Sequence, residues 1–190
     1  MKAIRRILFE SMRAAAFCLA VLLVGVAAGL ISYEVVKEQF EPFVKAVFSG
    51  VLVQGSDFQT IVNIFARNTW SSIVLLALGV FILPTILLLF SNGFLVGFVS
   101  RLAMERGLGA TKILLGIAPH GIFEVPAIIL SASLGLRVGA AVIFPRGEGR
   151  LRAASLRIRE ASAFYLLVVL PLIAIAAVVE VLVSKRIVGG

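Results

Sequence analysis

The chain has 190 residues, 61% of them hydrophobic and only 15% charged, and a mean hydropathy of +1.10, which excludes an ordinary soluble domain and leaves no length for a large soluble catalytic one. One Cys and one His exclude a disulfide scaffold and a His-rich metal centre within a single chain. The net charge of +8 comes from basic residues beside long apolar runs, so it reads as membrane topology and not as nucleic-acid binding.

The expected fold is all-α: one polytopic transmembrane domain over residues 1–190, with about five spans, broken helices and amphipathic interfacial segments. Residues 1–13 place Ile4, Ile7, Leu8 and Met12 opposite Lys2, Arg5, Arg6 and Arg13, the pattern of a helix lying on the membrane. The apolar run from Ala14 to Ile31 gives a first span over about 14–33, too long for the apolar core of a cleaved signal peptide. Residues 34–67 are too polar to span. Val36, Phe40, Phe43, Val44, Val47 and Phe48 form one stripe, Gly50, Gly55 and Ser56 break it, and Asp57 is placed to cap a second short helix, which together predict a hairpin half sunk in lipid.

A second span is expected over 69–91, with Trp70 as an interface anchor, ending where Ser91, Asn92 and Gly93 interrupt the apolar run. A short third span follows over 93–104, a fourth over 113–136, and a fifth over 161–184 containing Pro171 and Glu180. Segment 148–160 alternates Arg150, Arg152, Arg157 and Arg159 with Leu151, Ala154, Leu156 and Ile158, as a lipid-facing helix would. Arg137 to Arg159 and the basic amino terminus both belong in the cytoplasm of a multi-pass cell-membrane protein by the positive-inside rule, with the carboxyl terminus outside.

The chemistry concentrates in the fourth span. A mid-bilayer carboxylate costs about 2.5 to 3.5 kcal/mol on insertion scales, so Glu124 should face a protein interior or a wet cavity. His120, four residues earlier, shares its helical face. Pro119, Gly121 and Pro126 loosen the backbone there and free carbonyls that lipid cannot satisfy. Depth counting brings Glu180 of the fifth span and Asn68 of the second toward the same outer half, with Asn92 on the inner side. The predicted polar site is therefore His120, Glu124, Glu180, Asn68 and Asn92, binding or translocating an ion or small solute. His120, Glu124 and Glu180 also form a donor set that allows a divalent metal such as zinc, and no other cofactor is implied. The rival reading makes the same cluster a structural hydrogen-bond network in a scaffold that recruits envelope or cell-wall-modifying proteins.

No nucleophile–base constellation is present, so no catalytic residue is assigned and an enzyme is not expected. Three G-x-x-x-G pairs, Gly25 with Gly29, Gly93 with Gly97, and Gly135 with Gly139, predict close helix packing, and one of them could join two copies into a homodimer within the lipid bilayer.

The string P-H-G-I-F-E-V-P-A from Pro119 to Ala127, followed by G-L-R-V-G from Gly135 to Gly139, resembles the signature of the stage II sporulation protein M family of integral membrane proteins. Asn68, the N-G-F-L-V-G run from Asn92 to Gly97, and Glu180 fall where that family also has polar and glycine positions, so the resemblance covers about residues 60–185. It implies a five-span membrane protein which, in sporulating bacteria, works with cell-wall-degrading partners during engulfment of the forespore. Many relatives belong to organisms that never sporulate.

Overall fold

The computed structural model describes residues 2–49, 56–109, 111–114, 120–144 and 149–188; for some of these, His120 and several residues at helix ends among them, it describes the backbone alone. Every regular element among them is helical. They are α1 (Lys2–Ile31), α2 (Tyr33–Ser49), α3 (Asp57–Leu78), α4 (Ile82–Glu105), a first π-helical turn (His120–Glu124), α5 (Val125–Ile143), α6 (Arg150–Phe164), a second π-helical turn (Tyr165–Val169) and α7 (Leu170–Val188). Among the described residues, five stretches are long and apolar enough to cross a membrane: Ile7–Ile31, Asp57–Leu78, Ile82–Glu105, Gly121–Ile143 and Ala154–Val183.

Several boundaries differ from those the sequence suggests, each for a local reason. Residues 1–13 are not a separate surface helix from Lys2 onward, because the alanines after Arg13 favour helix and nothing interrupts α1. The expected hairpin over 34–67 divides: α2 is amphipathic, but residues 57–67 are the first half of a spanning helix. Asn63, Arg67 and Asn68 lower the hydropathy of α3 to 1.4, the smallest of the five. Ser56, and not Asp57, caps α3, its hydroxyl accepting the Gln59 backbone N–H at 3.4 Å.

The turn between the second and third spans lies at Gly79–Phe81, and the chain is helical without a break through Ser91, Asn92 and Gly93. Pro84 marks this boundary: in the first turn of a helix its missing N–H costs nothing, whereas inside a long span it would break the ladder. Trp70 consequently lies within α3, about 12 Å from its nearer end at ~1.5 Å per residue, and is not at a helix terminus. Arg137 lies inside α5, not in a loop, and the expected surface segment, described from residue 149, is helical from Arg150 and continues into the fifth span.

Contacts fix the helix directions. Gly25 meets Phe90 and Gly29 meets Phe94, so α1 and α4 run parallel. Asn68 meets Glu124 and Gly79 meets Gly135, so α3 and α5 run parallel. Cys18 clusters with Ile128 and Ala132 while Ser11 meets Arg137, which makes α1 and α5 antiparallel. Ile64 packs with Ala177 and Val181, and Ser72 meets Tyr165, so the α6–α7 rod opposes α3. The start of α1, the ends of α3 and α5, and the start of α6 therefore share one end of the bundle. Helix α5 is the axis: half of its most apolar stretch is buried, against 17 to 28% in the other four.

The glycine pairs explain how closely the helices approach. A Cβ at Gly93 or Gly97 would lie 2.1 Å from the backbone oxygen of Leu22 or Val26, and one at Gly25 or Gly29 within 2.3 Å of α4 backbone. Gly135 and Gly139 are pressed in the same way against the end of α3 at Leu76 and the turn that follows it at Gly79 and Val80. All three G-x-x-x-G pairs are thus consumed inside one chain, and none remains as the seam for a second copy.

Candidate functional site

Both π-helical turns end two residues before a proline. Pro126 follows His120–Glu124 and Pro171 follows Tyr165–Val169. A proline in a helix has no N–H for the carbonyl four residues back and its ring crowds that carbonyl, here Ile122 and Leu167, the central residue of each turn. Widening to a π turn relieves the crowding and swings neighbouring side chains out of ordinary helical register. Glu124 is the last residue of the first turn, and Tyr165 the first of the second. The two turns project their polar groups at the same stretch of α3.

That stretch is Asn68 to Ser72, in the middle of α3. The Asn68 amide donates to Glu124 Oε2 at 2.8 Å. One helical turn on, the Ser72 hydroxyl donates to the Thr69 carbonyl at 2.8 Å and lies 2.7 Å from the Tyr165 hydroxyl, which also reaches the Thr69 carbonyl at 3.4 Å. Each hydroxyl has one hydrogen to share between the other hydroxyl and the Thr69 carbonyl, so either can be the donor between the two. Ser72 is fully buried and Tyr165 nearly so. Among the described residues, the Thr69 hydroxyl oxygen is the one buried side-chain polar atom with no hydrogen-bond partner. In a span such an oxygen is available to any polar group that enters.

Of the residues expected from sequence, the structure joins Asn68 directly to Glu124. Glu180, half-buried, lies on α7, and α7 packs against the first π turn. The backbone of His120 opens that turn; its side chain, like Pro119, lies outside the described residues. Pro126 sits in the first turn of α5. Gly121 meets nothing within 4 Å of where a Cβ would stand, so close packing does not demand glycine there. Glu124 lies near the start of the candidate span Gly121–Ile143 and not at its centre, yet it is level with the middle of α3, where Asn68 stands. Asn92 stands elsewhere: its amide donates to the Leu88 carbonyl of its own helix at 2.9 Å, and it lines a cleft between α3 and α4. No group of three His, Cys, Asp or Glu side chains converges as a metal site among the described residues.

Thr69, Ser72 and Tyr165 escape a sequence reading that looks for charge, because hydroxyls are common in spans. The signal available was Pro171, which predicts a disturbed turn just before it. A second polar assembly was also missed. The Arg137 guanidinium is held by the Glu10 carboxylate, by the Ser11 hydroxyl at 3.0 Å and by the Ile7 carbonyl at 3.4 Å, and it lies 4.0 Å from Glu160. Arg157 bonds Glu160 at 2.7 Å and Glu10 at 3.1 Å. Arg137 and Glu160 are each only 13% exposed, so this cluster ties α1, α5 and α6 together at one end of the bundle. At the opposite end Tyr33 donates to Glu105, Lys37 pairs with Glu34 at 3.0 Å and Glu105 at 3.2 Å, and Arg106 pairs with Glu41 at 2.6 Å. Burial, and then the neighbouring Glu105 carboxylate, push the Tyr33 phenol up to about 12. Hydrogen bonds to Glu34 and Glu105 hold the Lys37 ammonium above its usual range.

Five apolar helices around a polar midsection define an integral, multi-pass membrane protein of the helical-bundle class. The sequence model of stage II sporulation protein M matches residues 15–185. The chain therefore belongs to that family. No curated protein and no solved structure matches it.

Proposed function

We propose that the protein binds, and passes across the membrane, a proton, a cation or a small polar solute at the site formed by Asn68, Glu124, His120 and Glu180, with Thr69, Ser72 and Tyr165 beside it. The observation that carries this reading is the Asn68–Glu124 hydrogen bond in the middle of a spanning helix. A carboxyl group is costly there and is usually held where it meets a ligand or a proton pathway. The π turns supply a second support, since such turns occur often at functional sites. Zinc or a related divalent ion is one candidate guest, with imidazole and carboxylates as donors. The reading is of a binding or transport protein and not of an enzyme, in keeping with a sequence that carries none of the familiar nucleophile–base motifs.

The end carrying the Arg137–Glu160 cluster is assigned to the cytoplasm, together with the amino terminus, because Arg13, Arg152, Arg157 and Arg159 also stand at that end. The protein acts as a homodimer in this reading. Reconstituted liposomes test the site: wild type is expected to show pH-driven flux or calorimetric zinc binding, and Glu124→Gln to lose it while keeping its helical content and melting temperature. Equal signals from wild type and variant would overturn the proposal. A second reading has its own support, since Asn68 with Glu124 and Ser72 with Tyr165 satisfy each other and could serve as glue. The protein is then a scaffold for envelope or cell-wall-modifying partners, and Glu124→Gln would alter neither flux nor binding but would weaken the recovery of those partners from membranes.

A further inference from the structure

The cleft between α3 and α4 has a volume of about 150 Å³ and is lined by Trp70, Ser71, Val74, Leu75, Leu88 and Asn92. Two of these side chains do not suit lipid tails. Trp70 is 69% exposed although it lies well inside α3, whereas tryptophans that face lipid favour the headgroup level. Asn92 stands about 2 Å from the midpoint of α4. Its hydrogen bond to Leu88 uses one of its two amide hydrogens, so a carboxamide that lines the cleft still has a second donor and a carbonyl acceptor to offer. A carboxamide so placed at mid-bilayer is expected to bond across to another helix.

We propose that this cleft is the contact face of the homodimer, with a second copy of the same chain, inserted in the same direction, related by a two-fold axis along the membrane normal. The proposal names the face for the dimer taken up above and does not depend on the Glu124 site. Three features select a second copy over other occupants. A carboxamide is its own complement, donor to acceptor and acceptor to donor, and such an axis brings the two Asn92 groups together at equal depth. A projecting Trp70 beside a recess is the arrangement that a two-fold contact uses twice, each knob entering the other's hollow. The glycine pairs that would otherwise join two copies are already occupied within the chain.

Single-molecule photobleaching of the full chain in liposomes of decreasing protein density reads the dimer fraction directly. Wild type is expected to dimerise. Asn92→Leu and Trp70→Leu should each raise the density for half-dimerisation roughly tenfold. Asn92→Gln, which keeps a self-complementary amide, should restore much of the dimer, and Val24→Ala, at a lipid-exposed position on α1, should leave it unchanged. Asn92 makes its described hydrogen bond only within its own helix, so Asn92→Leu should melt with wild type and a lost dimer is not a lost fold. A wild type that dimerises equally well with Asn92→Leu or Trp70→Leu overturns the face and leaves the homodimer standing. A wild type monomeric at every density overturns both.

Discussion

Two helix pairs at the heart of the bundle are built on opposite principles. Helices α1 and α4 meet through Gly25, Gly29, Gly93 and Gly97, backbone against backbone, with no side chain between them at those points. Between the middle of α3, the first π turn and the α6–α7 rod, the contacts are instead polar side chains: Asn68 on Glu124 and Ser72 on Tyr165. The dry seam has no spare volume and one way to close. The polar layer is held by exchangeable hydrogen bonds beside two interrupted helices, which is where a guest, a proton or a rearrangement can be accommodated at low cost. Close packing fixes the frame, and the irregular half carries whatever the molecule does.

The sharpest break in that contrast comes from adding a side chain on each side of it. Gly97→Val should destabilise by about 3 kcal/mol or more, because its Cβ would fall 2.1 Å from a main-chain oxygen that cannot turn away. Gly121→Ala, in the first π turn, meets nothing within 4 Å and should change stability by less than about 0.5 kcal/mol. Denaturant or thermal unfolding in detergent micelles compares the two. An Arg137→Met substitution should cost about 2 kcal/mol, since Glu10 and Glu160 would be left sharing Arg157 in a poorly solvated corner. Added salt should recover little of that loss if the cluster is as enclosed as its exposure indicates.

Within the polar layer, Asn68→Leu should cost only about 1 kcal/mol, the usual scale of one hydrogen bond between membrane helices. A much larger loss in the same unfolding assay would make this layer part of the rigid frame. The smallest effect concerns α2, outside the spans. The Tyr33 phenol is raised from 10.0 to about 12 and Lys37 is raised as well. Folding thus favours the protonated forms, so the contribution of α2 is complete below pH 10.0 and declines as the pH climbs toward about 12. Tyr33→Phe should flatten that decline, as followed by phenolate absorbance and by α2-specific hydrogen exchange.

The sequence already carried the all-helical membrane class and the number of spans, although the expected third span over 93–104 was shorter than a bilayer and its helix proved to be Ile82–Glu105. It placed Asn68 and Glu124 in one polar group, but not as direct partners: Asn68 was expected at the outer start of its span and Glu124 near the centre of another, and the bond between them shows only in the structure. Span boundaries were less legible where the same residue type serves two purposes. Gly93 reads as a breaker by propensity, but its missing side chain is used against Leu22, a partner 71 positions away in the chain, and the helix runs on. Arg67 and Asn68 read as surface because composition does not show that a polar group will find a mate on another helix. The Glu10–Arg137–Arg157–Glu160 cluster was hidden for the same reason: basic residues near a membrane surface satisfy the positive-inside rule whether or not an acid waits beside them.

That cluster also imposes a timetable on biogenesis. Glu10 leaves the ribosome 127 residues before Arg137 and 147 before Arg157, delays of roughly 6 to 30 s at ordinary elongation rates. During synthesis the first helix therefore precedes its mates, and the four-residue corner is complete only once α6 has followed α5. A chain that stops before Arg157 can still pair Glu10 with Arg137, but it lacks the bonds from Arg157 to Glu10 and Glu160 that complete the corner.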